Sequence, residues 1–243
     1  MRIEAFFLCY NEAPLLPFVL EHYSEFCDKI TIYDNCSIDD SVKIIKSYPN
    51  TKVISYDGHG LDDLLHQKIK NECWKGTKCD WVVVADIDEL IYCKDIKKRL
   101  AELDAEWFTI VNSPGYNMVS KTFPLLGIKI TEQITRGAYH KMSSKPILFN
   151  PNKITELNSC PGGHGCSPTG EVKFYNSLTG DIRILHYRML SLAYYLDHQA
   201  KGLVRVNKEN LAKGLGSHLA APVEAHEWAF YDTLKSAEEI VNV

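Results

Sequence analysis

The stretch Asp80-Trp81-Val82-Val83-Val84-Ala85-Asp86-Ile87-Asp88-Glu89 sets three carboxylates directly after an unbroken β-favouring run. Such a run reads as a strand covered on both faces. Side chains alternate along extended chain, so Asp86 and Asp88 are expected on one side, with Ile87 turned away. Two adjacent carboxylates repel unless a cation lies between them. A hard divalent ion, Mn²⁺ or Mg²⁺, takes oxygen ligands and shares them with phosphate oxygens. A bare D-x-D also fits a solvated strand end, but its place after a buried strand favours the metal site. His186 ends a second apolar run, Ile182-Arg183-Ile184-Leu185-His186. Its imidazole reads either as a structural hydrogen-bonder or as a nitrogen ligand, and nitrogen suits Mn²⁺ better than Mg²⁺.

The elements that must position these groups follow from periodicity. Strands are predicted over residues 2–10, 29–33, 51–55 and 81–85. Helices are predicted over 14–26 (opened by Pro14), from the polar group Ser37-Ile38-Asp39-Asp40 onward, and over 61–74 and 94–103. The β-α-β-α order implies an α/β fold, a mostly parallel sheet flanked by helices. Ligands bind such sheets at the carboxyl ends of the strands. There the sequence places Asn11-Glu12, Asp34-Asn35, Asp57 and the segment from Asp86 to Glu89. The second half is less regular: strands at 107–112 and 182–187, short strands and long loops over 113–181, and helices at 190–203 and 222–240. A single domain over 1–243 is expected, with a regular half to 104 and an irregular half from 105.

The 243 residues are 45% hydrophobic and 24% charged, with a net charge of −4. That balance excludes disorder and gives no footprint for a general nucleic-acid binder. No apolar run approaches the roughly 18 residues of a membrane span. The eight cysteines contain no C-x-x-C pair, and several sit in apolar segments where a thiol packs as a small hydrophobe. The expectation is a cytoplasmic protein, or one peripheral to a membrane surface.

The chain resembles the type A fold (GT-A-like) glycosyltransferases, in particular the family 2-like group. The resemblance rests on Tyr10-Asn11-Glu12-Ala13-Pro14 after the first strand and Asp34-Asn35-Cys36-Ser37-Ile38-Asp39 after the second. It rests further on the D-x-D-E segment from Asp86 to Glu89, on Lys145-Pro146-Ile147-Leu148, and on His186-Tyr187-Arg188-Met189-Leu190-Ser191. It implies a metal-dependent transfer of sugar from a nucleotide-sugar donor, with inversion. The acceptor is then a glycan, lipid-linked saccharide or protein hydroxyl. Residues 1–104 become the nucleotide-binding half and 105–243 the acceptor half. By matching position, Tyr10, Asn11 and Glu12 line the base and ribose, and Asp34 meets the base edge. Asn35, with Ser37 and Asp39, shapes the same loop; plain turn and helix capping is an equal reading of those three. Asp57, Gln67 and Asn71 are candidates to complete the pocket. Asp86 meets the ribose or the metal, with Ile87 beside it. Asp88 ligates the metal, and His186 becomes a further ligand. Lys145 and Arg188 are candidates for the diphosphate. Asp34 and Tyr10 favour a uracil base, hence a UDP-sugar.

A single displacement also needs a base beside the acceptor. Glu89 is the leading candidate, with Glu132, Glu156, Glu171 and, of different chemistry, His164 behind it. His164 lies in Cys160-Pro161-Gly162-Gly163-His164-Gly165-Cys166, whose spacing matches no common zinc site. Two other classes remain: a sugar nucleotidyltransferase, which the lack of an N-terminal glycine-rich phosphate loop disfavours, and a non-catalytic sugar-binding module.

Overall fold

The computed structural model describes residues 1–177 and 180–241. Strands β1 (Ile3–Cys9), β2 (Lys29–Asp34), β3 (Thr51–Ser55) and β4 (Trp81–Asp86) lie parallel in the order β3-β2-β1-β4. Helices α1 (Leu16–Ser24), α2 (Ser41–Lys46) and α3 (Asp63–Glu72) connect them. Every carboxyl end therefore falls on one edge of the sheet. Alternation in β1 and β4 sends Ala5, Phe7, Trp81 and Val83 to one apolar cluster and Phe6, Val82 and Val84 to another. The sheet is buried on both faces, as its unbroken apolar runs require.

After β4 come β5 (Glu89–Tyr92), α4 (Ile96–Ala105), β6 (Ile110–Ser113), β7 (Gly115–Val119), α5 (Ile130–Gln133), β8 (Arg136–Tyr139) and β9 (Lys145–Phe149). Then follow β10 (Ile154–Glu156), β11 (Thr169–Gly170), β12 (Phe174–Asn176), β13 (Arg183–Met189), α6 (Leu192–Arg205), α7 (Lys208–Ala212), α8 (Val223–Ser236) and β14 (Glu238–Glu239). The main sheet runs β12-β6-β9-β4-β1-β2-β3, with β9 antiparallel to both of its neighbours. A second sheet, β14-β8-β7-β13-β5, carries strands from both halves of the chain. Periodicity alone does not reveal it, because its strands are short and far apart in sequence. Among the described residues, no helix is long and apolar enough to cross a membrane.

Two local expectations are corrected. The proline in the first turn of α1 is Pro17, and Pro14 lies in the turn before it. The D-x-D does not continue an extended strand: β4 ends at Asp86, Ile87 and Asp88 form a turn, and Glu89 opens β5 in the other sheet. The acidic segment is thus the joint between the two sheets. Ile87, 3% exposed, anchors that joint in the core.

Candidate active site

The joint brings three carboxylates together, each met by cations from other elements. Lys70 Nζ, on α3, lies 2.7 Å from Asp86 Oδ1. Lys145 Nζ, at the start of β9, lies 3.4 Å from Asp86 Oδ2 and 2.6 Å from Glu89 Oε1. Burial works to raise the Asp86 carboxyl, but the two lysines hold it well below the usual carboxylate range. Asp88 sits in the turn with its Oδ2 3.0 Å from His186 Nε2 and 3.3 Å from Arg188 Nε, both on β13. Burial opposes ionisation of Asp88 too, but its neighbours His186 and Arg188 hold the carboxyl well below the usual carboxylate range.

His186 occupies a fixed place in a ladder. It stands opposite Glu89 on β5 and opposite Asn117 on β7. Its Nδ1 lies 3.0 Å from Asn117 Oδ1 and 3.1 Å from Ser143 Oγ. A ring held at Nδ1 presents Nε2 to Asp88. The H-Y-x-x-x-S pattern then has a local meaning. The histidine sits in the middle of β13, which runs on to Met189, and Ser191 caps α6 by accepting from Tyr194 N.

Glu89, the expected base, opens β5. It is 1% exposed, paired with Lys145, and accepts the Asp86 N–H at 3.2 Å. Glu156 and Glu171 pair with Lys75 and Lys153, at 2.8 Å in each case.

The nucleotide-side residues divide into two groups. Asp34 Oδ2 accepts from Ser37 N, while Asp34 Oδ1 is buried without a hydrogen-bond partner among the described residues. The Arg205 guanidinium, from the end of α6, lies 3.2 Å over the Tyr10 ring centre. Glu12 is 7% exposed, and its carboxylate takes the Tyr194 hydroxyl at 3.2 Å and His198 Nε2 at 3.0 Å. Helix α6 therefore lies over the end of β1, and its Arg205 also donates to Gly60 O after β3.

Other residues tie loops together. Asn11 donates its N–H to Ser37 Oγ and accepts from Ile38 N. Asn35 grips the loop after β3, accepting from Gly58 N and donating to Gly60 O. Asp39 accepts from Ala13 N and Ser41 N. Asp57 is exposed and closes its own turn by accepting from His59 N. Gln67 and Asn71, one helical turn apart on α3, both hold Ser159. Gln67 Nε2 donates to its carbonyl, and Asn71 Oδ1 accepts its N–H and hydroxyl.

Sequence reasoning missed Lys70, Tyr56, His66, Asn117, Ser143, His198 and Arg205. The Tyr56 hydroxyl and His66 Nε2 are, like Asp34 Oδ1, buried without a hydrogen-bond partner among the described residues. Burial pushes the His66 imidazole down to about 4.

A mostly parallel sheet bearing an acidic turn at the carboxyl end of β4 defines the type A fold of glycosyltransferases. The chain belongs to glycosyl transferase family 2, whose sequence model matches residues 6–158. Its fold resembles that of residues 1–349 of S. aureus TarS. That likeness has a TM-score of 0.50 at 13% identity and covers 95% of this chain and 72% of that one. A longer TarS structure matches at TM-score 0.48 and 15% identity, over 84% of this chain and 39% of that one. TarS 1-349 in complex with UDP-GlcNAc matches at TM-score 0.42 and 14% identity, over 95% and 73%. No curated protein matches the chain by sequence.

Proposed function

We propose that this chain transfers a sugar from a UDP-sugar to a hydroxyl of a glycan, lipid-linked saccharide or protein, with inversion at the sugar carbon. The observation that carries the reading is the Asp88–His186 pair at the sheet joint. It lies at the strand ends, where ligands of such sheets bind. Asp34 Oδ1, an unpaired acceptor, matches the N3–H of uracil.

Among the described residues there is no group of three or more His, Cys, Asp or Glu side chains that could hold a metal ion. A two-residue donor set still fits Mn²⁺ or Mg²⁺, because such ions take one or two protein ligands and fill the rest with phosphate oxygens and water. Asp88 Oδ2 and His186 Nε2 face each other 3.0 Å apart, and His186 is oriented from its far nitrogen. These two residues would hold the ion, whose charge would favour departure of the diphosphate. Asp86, engaged by Lys70 and Lys145, is assigned to a ribose hydroxyl.

The chain's own groups then divide the work. Three carboxylates (Asp86, Asp88, Glu89) face three cations (Lys70, Lys145, Arg188), so the joint does not repel an anionic donor. Arg188 lies beside Asp88 and favours negative charge building on the leaving diphosphate. The acceptor oxygen attacks the anomeric carbon as the bond to the phosphate oxygen breaks, and the acceptor proton passes to a base.

The test is release of UDP from UDP-glucose and UDP-GlcNAc with Mn²⁺ or EDTA, with the product anomer read by NMR. Metal-dependent release with inverted product is expected. Retention of configuration, or release unaffected by EDTA, contradicts the reading.

A further inference from the structure

We infer that His164 is the base that takes the acceptor proton, an inference that rests on the transferase reading above. The 3-10 turn Lys141–Ser143 holds three imidazoles, the first being that of His140, whose Nδ1 lies 2.9 Å from Ser143 Oγ. Ser143 Oγ meets His186 Nδ1 at 3.1 Å, and the Met142 carbonyl meets His164 Nδ1 at 2.7 Å. A carbonyl only accepts, so His164 Nδ1 carries the hydrogen and Nε2 carries a lone pair. The Asp–His logic of acid–base sites is thus met with a backbone carbonyl as the orienting group. The rings of His186 and His164 are thus anchored on adjacent residues of one turn.

The loop bearing His164 is built against the joint. Gln67 and Asn71 fix its root at Ser159, and Cys160 N donates to Gly165 O across its neck. Gly162 and Gly163 both have left-handed φ, 76° and 72°. A Cβ on Gly163 would lie 3.8 Å from Lys70 Nζ and 3.9 Å from Lys145 Cδ. Gly163 therefore lies against the two lysines that hold Asp86, while a Cβ on Gly162 would collide with the His164 ring, 2.6 Å from Nε2. Yet His164 itself remains exposed, where an acceptor reaches it. Burial and the Lys145 charge push the His164 imidazole down, opposed by Glu89, Asp86 and its bond to Met142. Lys70 on α3 and His140 and His218 are the other charged or titratable groups near this loop. The carboxylate candidates sit elsewhere or are engaged: Glu89 is buried, Glu156 and Glu171 are ion-paired, and Glu132 lies on α5 in a cleft with Glu21, His22, Glu25 and Lys129.

In the step, the acceptor O–H gives its proton to Nε2 while its oxygen bonds to the anomeric carbon. The bond from that carbon to the phosphate oxygen breaks, and its electron pair leaves with UDP. The imidazolium then returns its proton to water. With no acceptor present, water takes the hydroxyl's place.

The experiment compares UDP release from UDP-glucose and UDP-GlcNAc by the full chain and by His164→Ala and His164→Asn. Asn keeps a donor for the Met142 carbonyl. Both variants should bind UDP as the unmodified chain does, and lose release by roughly 10²–10⁴. Added imidazole should restore part of it in His164→Ala alone. A second arm reads side-chain ¹⁵N shifts, with His164→Asn assigning the signal. It should show a neutral ring at pH 7, with hydrogen on Nδ1. Release within threefold of the unmodified chain, or a hydrogen on Nε2 at pH 7, overturns the assignment. Absence of release from the unmodified chain counts against the transferase reading itself, and the ¹⁵N arm still decides whether His164 is built as a proton acceptor.

Discussion

Lys145 is 7% exposed and Glu89 is 1% exposed, so their 2.6 Å contact is a buried ion pair. Burial works against the lysine's charge, but Glu89 and Asp86 push its ammonium well above the usual range. Removing one partner of such a pair strands the other charge, a loss of about 3–5 kcal/mol. Lys145→Met should therefore lower stability by that amount in urea unfolding. Lys145→Met with Glu89→Leu should recover most of it, and a double variant no more stable than the single would refute the pairing. Residue types were legible in the sequence, but partners were not. Asn11, Ser37 and Asp39 show as polar loop residues, yet Asn11 N reaches Ser37 Oγ across 26 positions. Lys70 reads as an ordinary helix lysine until the fold brings Asp86 to it.

At the scale of elements, the strands β1 to β4 and the helices between them were legible because each carries its own period. The second sheet was not, since β13 joins β5 and β7 from distant stretches of chain. That sheet nevertheless sets the site, and Gly115 is its tightest point. The N–H of Gly115 donates to Ser144 Oγ, its carbonyl accepts from His140 N, and a Cβ there would collide with the Ser143 carbonyl. Gly115→Ala must push away the turn that orients His186. Overpacking of this kind costs about 1–3 kcal/mol. A lower Tm and weaker Mn²⁺-dependent UDP binding are expected together. Unchanged Tm would show that the turn yields freely. At the end of α4 the opposite mismatch occurs. Trp107 follows the helix at φ 64° and is 69% exposed, a position that favours Gly or Asn. Trp107→Asn should raise stability by about 1 kcal/mol, the lower end of the left-handed penalty, and a clear fall in Tm would contradict that view.

Across the whole molecule, Asp181 fastens the edge of the main sheet to α4. It accepts from Arg99 Nε at 2.6 Å, Ser177 Oγ at 2.5 Å and Tyr175 OH at 2.9 Å. Burial opposes its charge, but these bonds bring its carboxyl down to about 2. A depressed carboxyl stabilises the fold above its unfolded value, near 4, and that share is lost as pH falls through about 2. The shift corresponds to at most about 2 kcal/mol. Asp181→Asn should therefore be less stable at pH 7 and flatten the loss of stability between pH 4 and 2. An unchanged acid profile would show that the contacts carry no net stabilisation.

The two sheets meet at Asp86, Ile87 and Asp88, and we propose that this joint holds the donor diphosphate through Asp88 and His186. Calorimetric titration of UDP into the unmodified chain and into Asp88→Asn, each with Mn²⁺ and with EDTA, tests it most directly. Binding should occur with Mn²⁺ and fall at least tenfold in EDTA. It should fall comparably in a folded Asp88→Asn chain, whose far-ultraviolet circular dichroism remains unchanged. Equal UDP affinity in all four titrations would contradict the account.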